Sequence, residues 1–225
     1  MIIFIFLILL ATAATQPQMS PVSAALFQFD EQKNFIPPQR NDALRRVLAE
    51  KPKLDVFETA AVGDAADLER MLRQNPTAVS TRNHLGWTPL HYAAFGGNTA
   101  AIRVLLARGA DVHARAANRF RNTPLIVATL TGQVDAAKLL LDSGADVLDR
   151  QANGFSTLHE AAFSGKLELV RLYVDSGAEL NSRSDDGRTP LSEARRAGHE
   201  AVVKFLEAKG AVAGPTGQDV TSAPE

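Results

Sequence analysis

His159-Glu160 opens a pattern that does chemistry in other proteins. In H-E-x-x-H on a helix, two imidazoles one turn apart hold zinc and the glutamate acts as general base. The pattern needs its second imidazole, yet the residue four after His159 is Phe163, and the residue four after His91 is Phe95. Neither pair binds a metal. A metal-assisted hydrolase on His159 and Glu160 stays as an alternative, with the missing histidine against it. Ser164-Gly165-Lys166 lacks the upstream glycine of a phosphate loop. Asp185-Asp186-Gly187 lacks the alternating acidic ligands and distal glutamate of a calcium loop, so it reads as a polar turn. There is no G-x-S-x-G, and the absence of cysteine removes disulfides, thiolate ligands and a thiol nucleophile. No catalytic residue, bound metal or cofactor is expected.

Composition narrows the class further. The chain has 225 residues, 45% hydrophobic and 22% charged, enough for a real core. A net charge of -1 gives no reason to expect nucleic acid or an anionic membrane as a partner. The apolar run Ile2–Leu10 is too short to span a bilayer, and Ala11-Thr12-Ala13-Ala14 follows it. That is the shape of a secretory leader cleaved after Ala13 or Ala14, although no Lys or Arg precedes the run. The expected destination is exported, either secreted or periplasmic. A bacterial periplasm is favoured on composition, by the many Ala and Arg residues and the lack of cysteine.

The elements that position these residues repeat. Gly109-Ala110-Asp111-Val112, Gly144-Ala145-Asp146-Val147, Gly177-Ala178-Glu179-Leu180 and Gly210-Ala211-Val212-Ala213 start 35, 33 and 33 residues apart. TPLHYAA at 88–94, TPLIVAT at 123–129, STLHEAA at 156–162 and TPLSEAR at 189–195 keep the same spacing. Two markers sharing one period define a repeat architecture. Within each unit a hydroxyl residue caps a helix and, in three of them, proline takes its first position: Thr88 and Pro89, Thr123 and Pro124, Thr189 and Pro190. Gly97, Gly132, Gly165 and Gly198 end that first helix. An amphipathic second helix follows, with Ile102 and Leu105, Leu139–Leu141, Leu169 and Tyr173, or Val202 and Leu206 on its apolar face.

Gly86-Trp87-Thr88-Pro89-Leu90-His91-Tyr92-Ala93-Ala94, followed by an amphipathic helix and Gly-Ala-Asp-Val, resembles the ankyrin repeat. The resemblance covers roughly residues 55 to 212 and implies an all-α ankyrin-repeat solenoid of stacked helix-turn-helix units with short hairpin-like loops. The expected division is a leader at 1–14, an N-terminal segment with a short capping helix at 15–52, an ankyrin-repeat domain at 53–213 and a disordered tail at 214–225. The units are placed at 53–82, 83–117, 118–150, 151–183 and 184–213. The first is degenerate: Val56–Asp64, then Leu68, Met71 and Leu72, with no TPLH. Asn41–Leu48 reads as a helix covering the open end of the solenoid. Arg121 stands where the other units have a turn glycine, and two extra residues near Ala116-Ala117 precede it, so that loop should differ in shape.

The resemblance also assigns roles. His91 and His159 share one register and are implied to hydrogen-bond the loops between units, while His199 is structural. Glu160 aligns with Tyr92, Val127 and Glu193 and reads as a variable surface position. Partners of such stacks dock on the hairpin tips and first helices along the concave face. Carried over by position, this puts Trp87, Phe95, Phe120, Leu130, Phe155 and Phe163 in one solvent-facing apolar strip. Large apolar residues so placed suit a binding hot spot. The function implied is capture of another protein without catalysis. Self-association through the strip is the alternative, as is cover by residues 15–40.

Overall fold

The computed structural model describes residues 20–28, 38 and 41–214. The expected leader at 1–14 and the tail beyond residue 214 lie outside the described residues, as do most residues between 28 and 41. Two helices precede the repeats: α1, Pro21–Leu26, and α2, Asp42–Ala49. Five helix pairs follow. The inner helices are α3 (Val56–Val62), α5 (Pro89–Gly96), α7 (Pro124–Thr131), α9 (Thr157–Phe163) and α11 (Pro190–Ala197). Their outer mates are α4 (Ala65–Gln74), α6 (Thr99–Ala107), α8 (Val134–Asp142), α10 (Leu167–Asp175) and α12 (Glu200–Ala208). The chain is therefore all-α, as the repeat pattern implies. A 3-10 turn, Pro76–Ser80, joins the first pair to the second.

Local chemistry sets each inner helix. Thr88, Thr123 and Thr189 sit at the N-caps with extended backbone, and prolines occupy the first turn, where a missing N–H leaves no acceptor unpaired. Ser156 caps α9 and Asp55 caps α3, the latter in a reciprocal box with Glu58. At the other end Gly97, Gly132 and Gly198 take left-handed backbone at φ 70°, 71° and 76°, the conformation that stops a helix and that glycine alone adopts freely.

The inner helices bury both of their flanks, and the outer helices bury one stripe, such as Ala101, Ile102 and Leu105 of α6. Each inner helix packs on the next, and that row is tighter than the outer row. A stack built this way curves toward its inner helices. Paired small residues permit the approach: Ala60-Ala61, Ala93-Ala94 and Ala161-Ala162 are all buried. Gly96 marks the limit, because a Cβ there would lie 2.2 Å from the carbonyl oxygen of Ala61 in α3.

The turns between units are joined edge to edge. Ala117 N donates to Gly86 O, Ala152 N to Phe120 O and Asp185 N to Asn153 O, at 3.1, 3.3 and 3.2 Å. Three tips close with a bond spanning four residues, as from Asn83 N to Trp87 O, whereas the third unit closes from Ala116 N to Asn122 O. The two extra residues thus widen that hairpin, while Arg121 still adopts the glycine-like φ of 55°. A ladder of arginines, absent from the sequence expectations, runs alongside. Arg82 donates to Arg115 O at 2.8 Å, Arg115 to Arg150 O at 3.0 Å and Arg150 to Arg183 O at 2.8 Å.

α2 packs against α1, its Leu44 is buried in the common core with Val47 and Leu48 against it, and Asn41 Nδ2 donates to Ala25 O at 2.7 Å.

Gly96→Ala tests the inner-row spacing. Alanine is the better helix former by about 1 kcal/mol, so propensity alone would raise stability. Overlap with the Ala61 carbonyl outweighs it, and the thermal midpoint followed by circular dichroism falls, by about 1–3 kcal/mol in stability terms.

Candidate interaction surface

The inner-helix face is where the candidate residues converge, and it divides in two. At its N-terminal end, Trp87, Tyr92 and Phe95 form an aromatic box with Trp87–Tyr92 centroids at 5.7 Å and Trp87–Phe95 at 5.8 Å. Phe27, just past α1, closes it at 4.8 Å from Phe95, 5.9 Å from Tyr92 and 6.4 Å from Trp87. Trp87 is 3% exposed and Phe95 0%. This corrects the expectation that both face solvent: the chain's own Phe27 packs on both rings.

Phe155 is a second correction. It is 2% exposed, because the Arg188 guanidinium lies over its ring at 4.9 Å and His159 flanks it at 5.0 Å. Phe120, Leu130 and Phe163 are half-buried and stay reachable. Arg119 stacks over Phe120 at 4.6 Å and Arg196 over Phe163 at 4.7 Å, contacts that leave a cationic edge beside each ring. The strip read from the sequence is therefore a closed box at one end and an open, arginine-edged apolar surface at the other.

The histidines brace the turns. Thr88 N–H donates to His91 Nδ1 at 3.2 Å, and His91 Nε2 lies 3.0 Å from Asn122 O in the next unit. Ser156 N–H donates to His159 Nδ1 at 3.2 Å, and His159 Nε2 lies 3.0 Å from Arg188 O. A backbone N–H can only donate and a carbonyl can only accept, so both rings are neutral with the proton on Nε2. With both nitrogens used, His159 has no lone pair for a metal, and no three His, Cys, Asp or Glu among the described residues are arranged to hold one. Burial pushes His91 down to about 4, and His159 is lowered for the same reason. His199 also reaches a carbonyl of the preceding unit, with Nε2 2.9 Å from Phe163 O.

Glu160 is not the surface position expected. It is 2% exposed and accepts from Gln151 Nε2 at 2.9 Å. Burial, with the neighbouring Glu193 carboxylate adding to it, raises its pKa to about 7. Tyr92, Val127, Glu160 and Glu193 share one register, and all four are buried. Asn83 Nδ2 serves Tyr92 OH at 2.9 Å as Gln151 serves Glu160, while Glu193 is paired with Arg188 and Arg196. The repeat thus fills one internal site with a phenol, an aliphatic chain and two carboxylates, each polar group with its own partner. Trp87 Nε1, by contrast, is buried without a partner among the described residues.

Comparison with known proteins agrees with this geometry. Family models described as ankyrin repeats, in three copies and in many copies, match residues 57–151 and 158–207. A 47-residue stretch is 47% identical to ankyrin repeat domain-containing protein 49 of Bos taurus, spanning 21% of this chain and 20% of that protein. A 99-residue stretch is 37% identical to alpha-latrocrustotoxin-Lt1a of Latrodectus tredecimguttatus, 44% of this chain and 7% of the toxin. An 81-residue stretch is 32% identical to the DNA-binding protein RFXANK of Homo sapiens, 36% of this chain and 31% of that protein. The chain thus spans less than a third of the length of these relatives.

Two opposed pH dependences follow from the buried groups. Neutral His91 contributes stability above its ordinary 6.5 that is lost as pH falls through about 4, at most about 3 kcal/mol. The stability gap between the protein and His91→Ala therefore narrows on acidification across that window. Neutral Glu160 contributes stability below its ordinary 4.5 that is lost as pH rises through about 7. Glu160→Gln, which stays neutral, gains on the parent as pH rises from 4.5 to 7 and holds that gain above it. Urea midpoints at pH 4.5, 6 and 8 measure both.

Proposed function

Because this chain belongs to the ankyrin-repeat family, whose members serve as scaffolds for protein–protein contact, we propose that it is a non-catalytic module that holds a partner protein on its concave face. The observation that carries this reading is the open half of the inner-helix surface, where Phe120, Leu130 and Phe163 are half-buried beside Arg119 and Arg196. Aromatic rings and arginines are the side chains most often found at binding hot spots. They stand on helices whose tips are hydrogen-bonded from unit to unit, so the surface is set before a partner arrives and little conformational freedom is lost on docking. Apart from the buried face of the box, then, contact belongs to the third to fifth units.

The same proposal places the mature chain outside the cytosol, secreted or in a bacterial periplasm. Support comes from the Ile2–Leu10 run followed by Ala11-Thr12-Ala13. No helix among the described residues is long and apolar enough to cross a membrane. N-terminal sequencing of the exported fraction should begin near Ala14 or Thr15; a cytosolic chain that begins at Met1 contradicts the export reading.

Paired replacement of Phe120 and Phe163 by alanine abolishes capture of a partner from the native compartment while the helical circular dichroism and melting curve stay those of the parent. Trp87→Ala behaves differently: with its ring buried, the change lowers stability by about 3–5 kcal/mol. Retained capture by the Phe120/Phe163 variant would reject the surface assignment.

A further inference from the structure

The aromatic box at the N-terminal end of the stack is closed by a segment poorly suited to staying there. α1 has six residues, too few to hold a helix in water alone, so it is helical because it is docked. Val22, Ala25 and Leu26 are buried on one side of the helix, and Phe27, buried just past its end, reaches the box rings. That is how an amphipathic helix lies in a groove. Among the described residues its polar attachment to the stack is narrow: the hydroxyls of Ser20 and Ser23 both donate to one carboxylate oxygen of Glu58, the latter at 2.8 Å. Closure also leaves the Trp87 indole N–H buried and unpaired among the described residues, a cost that a better-matched occupant would remove.

We propose that residues 20–27 are a displaceable self-ligand, and that the box beneath them is a second docking site for a helical segment of the partner. The segment it fits carries small and aliphatic residues on one face, an aromatic anchor after its last turn, and a hydrogen-bond acceptor for Trp87 Nε1. The inference rests on the protein-binding reading and adds a regulated half to the face. While α1 is docked only the Phe120–Phe163 surface is available, and a partner that supplies such a helix gains the box by competing with it. Binding at the box and docking of α1 exclude each other, so the apparent affinity is lowered by the fraction of molecules that are closed.

A fluorescein-labelled peptide with the sequence Met19–Gln28 tests this by anisotropy against the full chain. Two full-length variants open the box: Phe27→Ala, which removes the anchor, and Ser23→Asp, which sets a second carboxylate against Glu58 and leaves the box intact. Each should bind the peptide at least about tenfold more tightly than the parent does, and a peptide with Phe27→Ala should bind none of them. Equal affinity for parent and variants, or no binding to either variant, overturns the proposal. Dimerisation of the parent through exchanged α1 segments, seen by light scattering, overturns the partner assignment in favour of a second copy. Capture through Phe120 and Phe163 is on the other half of the face, so either reading can fail while the other stands.

Discussion

The closeness of one inner helix to the next is the constraint on which the rest of the molecule depends. Alanine pairs and Gly96 let α3 and α5 approach until a single added methyl would meet the Ala61 carbonyl. That separation brings each turn within reach of its neighbour. His91 and His159 then span from their own N-cap to the next unit's carbonyl, and Arg82, Arg115 and Arg150 link the loops at the same repeat. These bonds have net values of about 1 kcal/mol each. Their weight comes from repetition along a one-dimensional stack, in which every unit is stabilised by its neighbours.

A stiff row of tips and inner helices makes a surface, and the chain treats its two ends differently. At one end Phe27 completes an aromatic box with Trp87, Tyr92 and Phe95. At the other, arginines lie over Phe120 and Phe163 and leave them partly open. Covering the first and leaving the second gives one face with a guarded half and an accessible half. The buried column Tyr92, Val127, Glu160 and Glu193 runs behind it and shows how much chemical variety a repeat tolerates where a local amide or guanidinium supplies the partner.

Much of the fold was legible because its markers are local. The Thr-Pro starts, the glycine stops and the 35- and 33-residue spacings each follow from backbone preferences that need no tertiary information. The histidine braces were legible through family resemblance. What escaped was set by contacts distant in sequence. Trp87 and Phe95 occupy positions that read as outward-facing in the repeat, and among the described residues Phe27, 60 or more positions away, packs on both rings. Phe155 is hidden by an arginine from the following unit. Glu160 looked like a surface residue because carboxylates are rarely buried, and its amide partner, Gln151, sits in the preceding turn. The arginine ladder at 82, 115, 150 and 183 could have been found, since it keeps the period of the repeat.

The resting chain covers its own aromatic box with Phe27. Trp87 is the single tryptophan, so its emission reports on that box alone. Acrylamide quenching of the full-length protein at neutral pH reads that cover. Blue-shifted emission that resists quenching, and that becomes red-shifted and quenchable when Phe27 is replaced by alanine, is the predicted result. Emission already red-shifted and freely quenched in the unmodified chain would mean that the box stands open at rest.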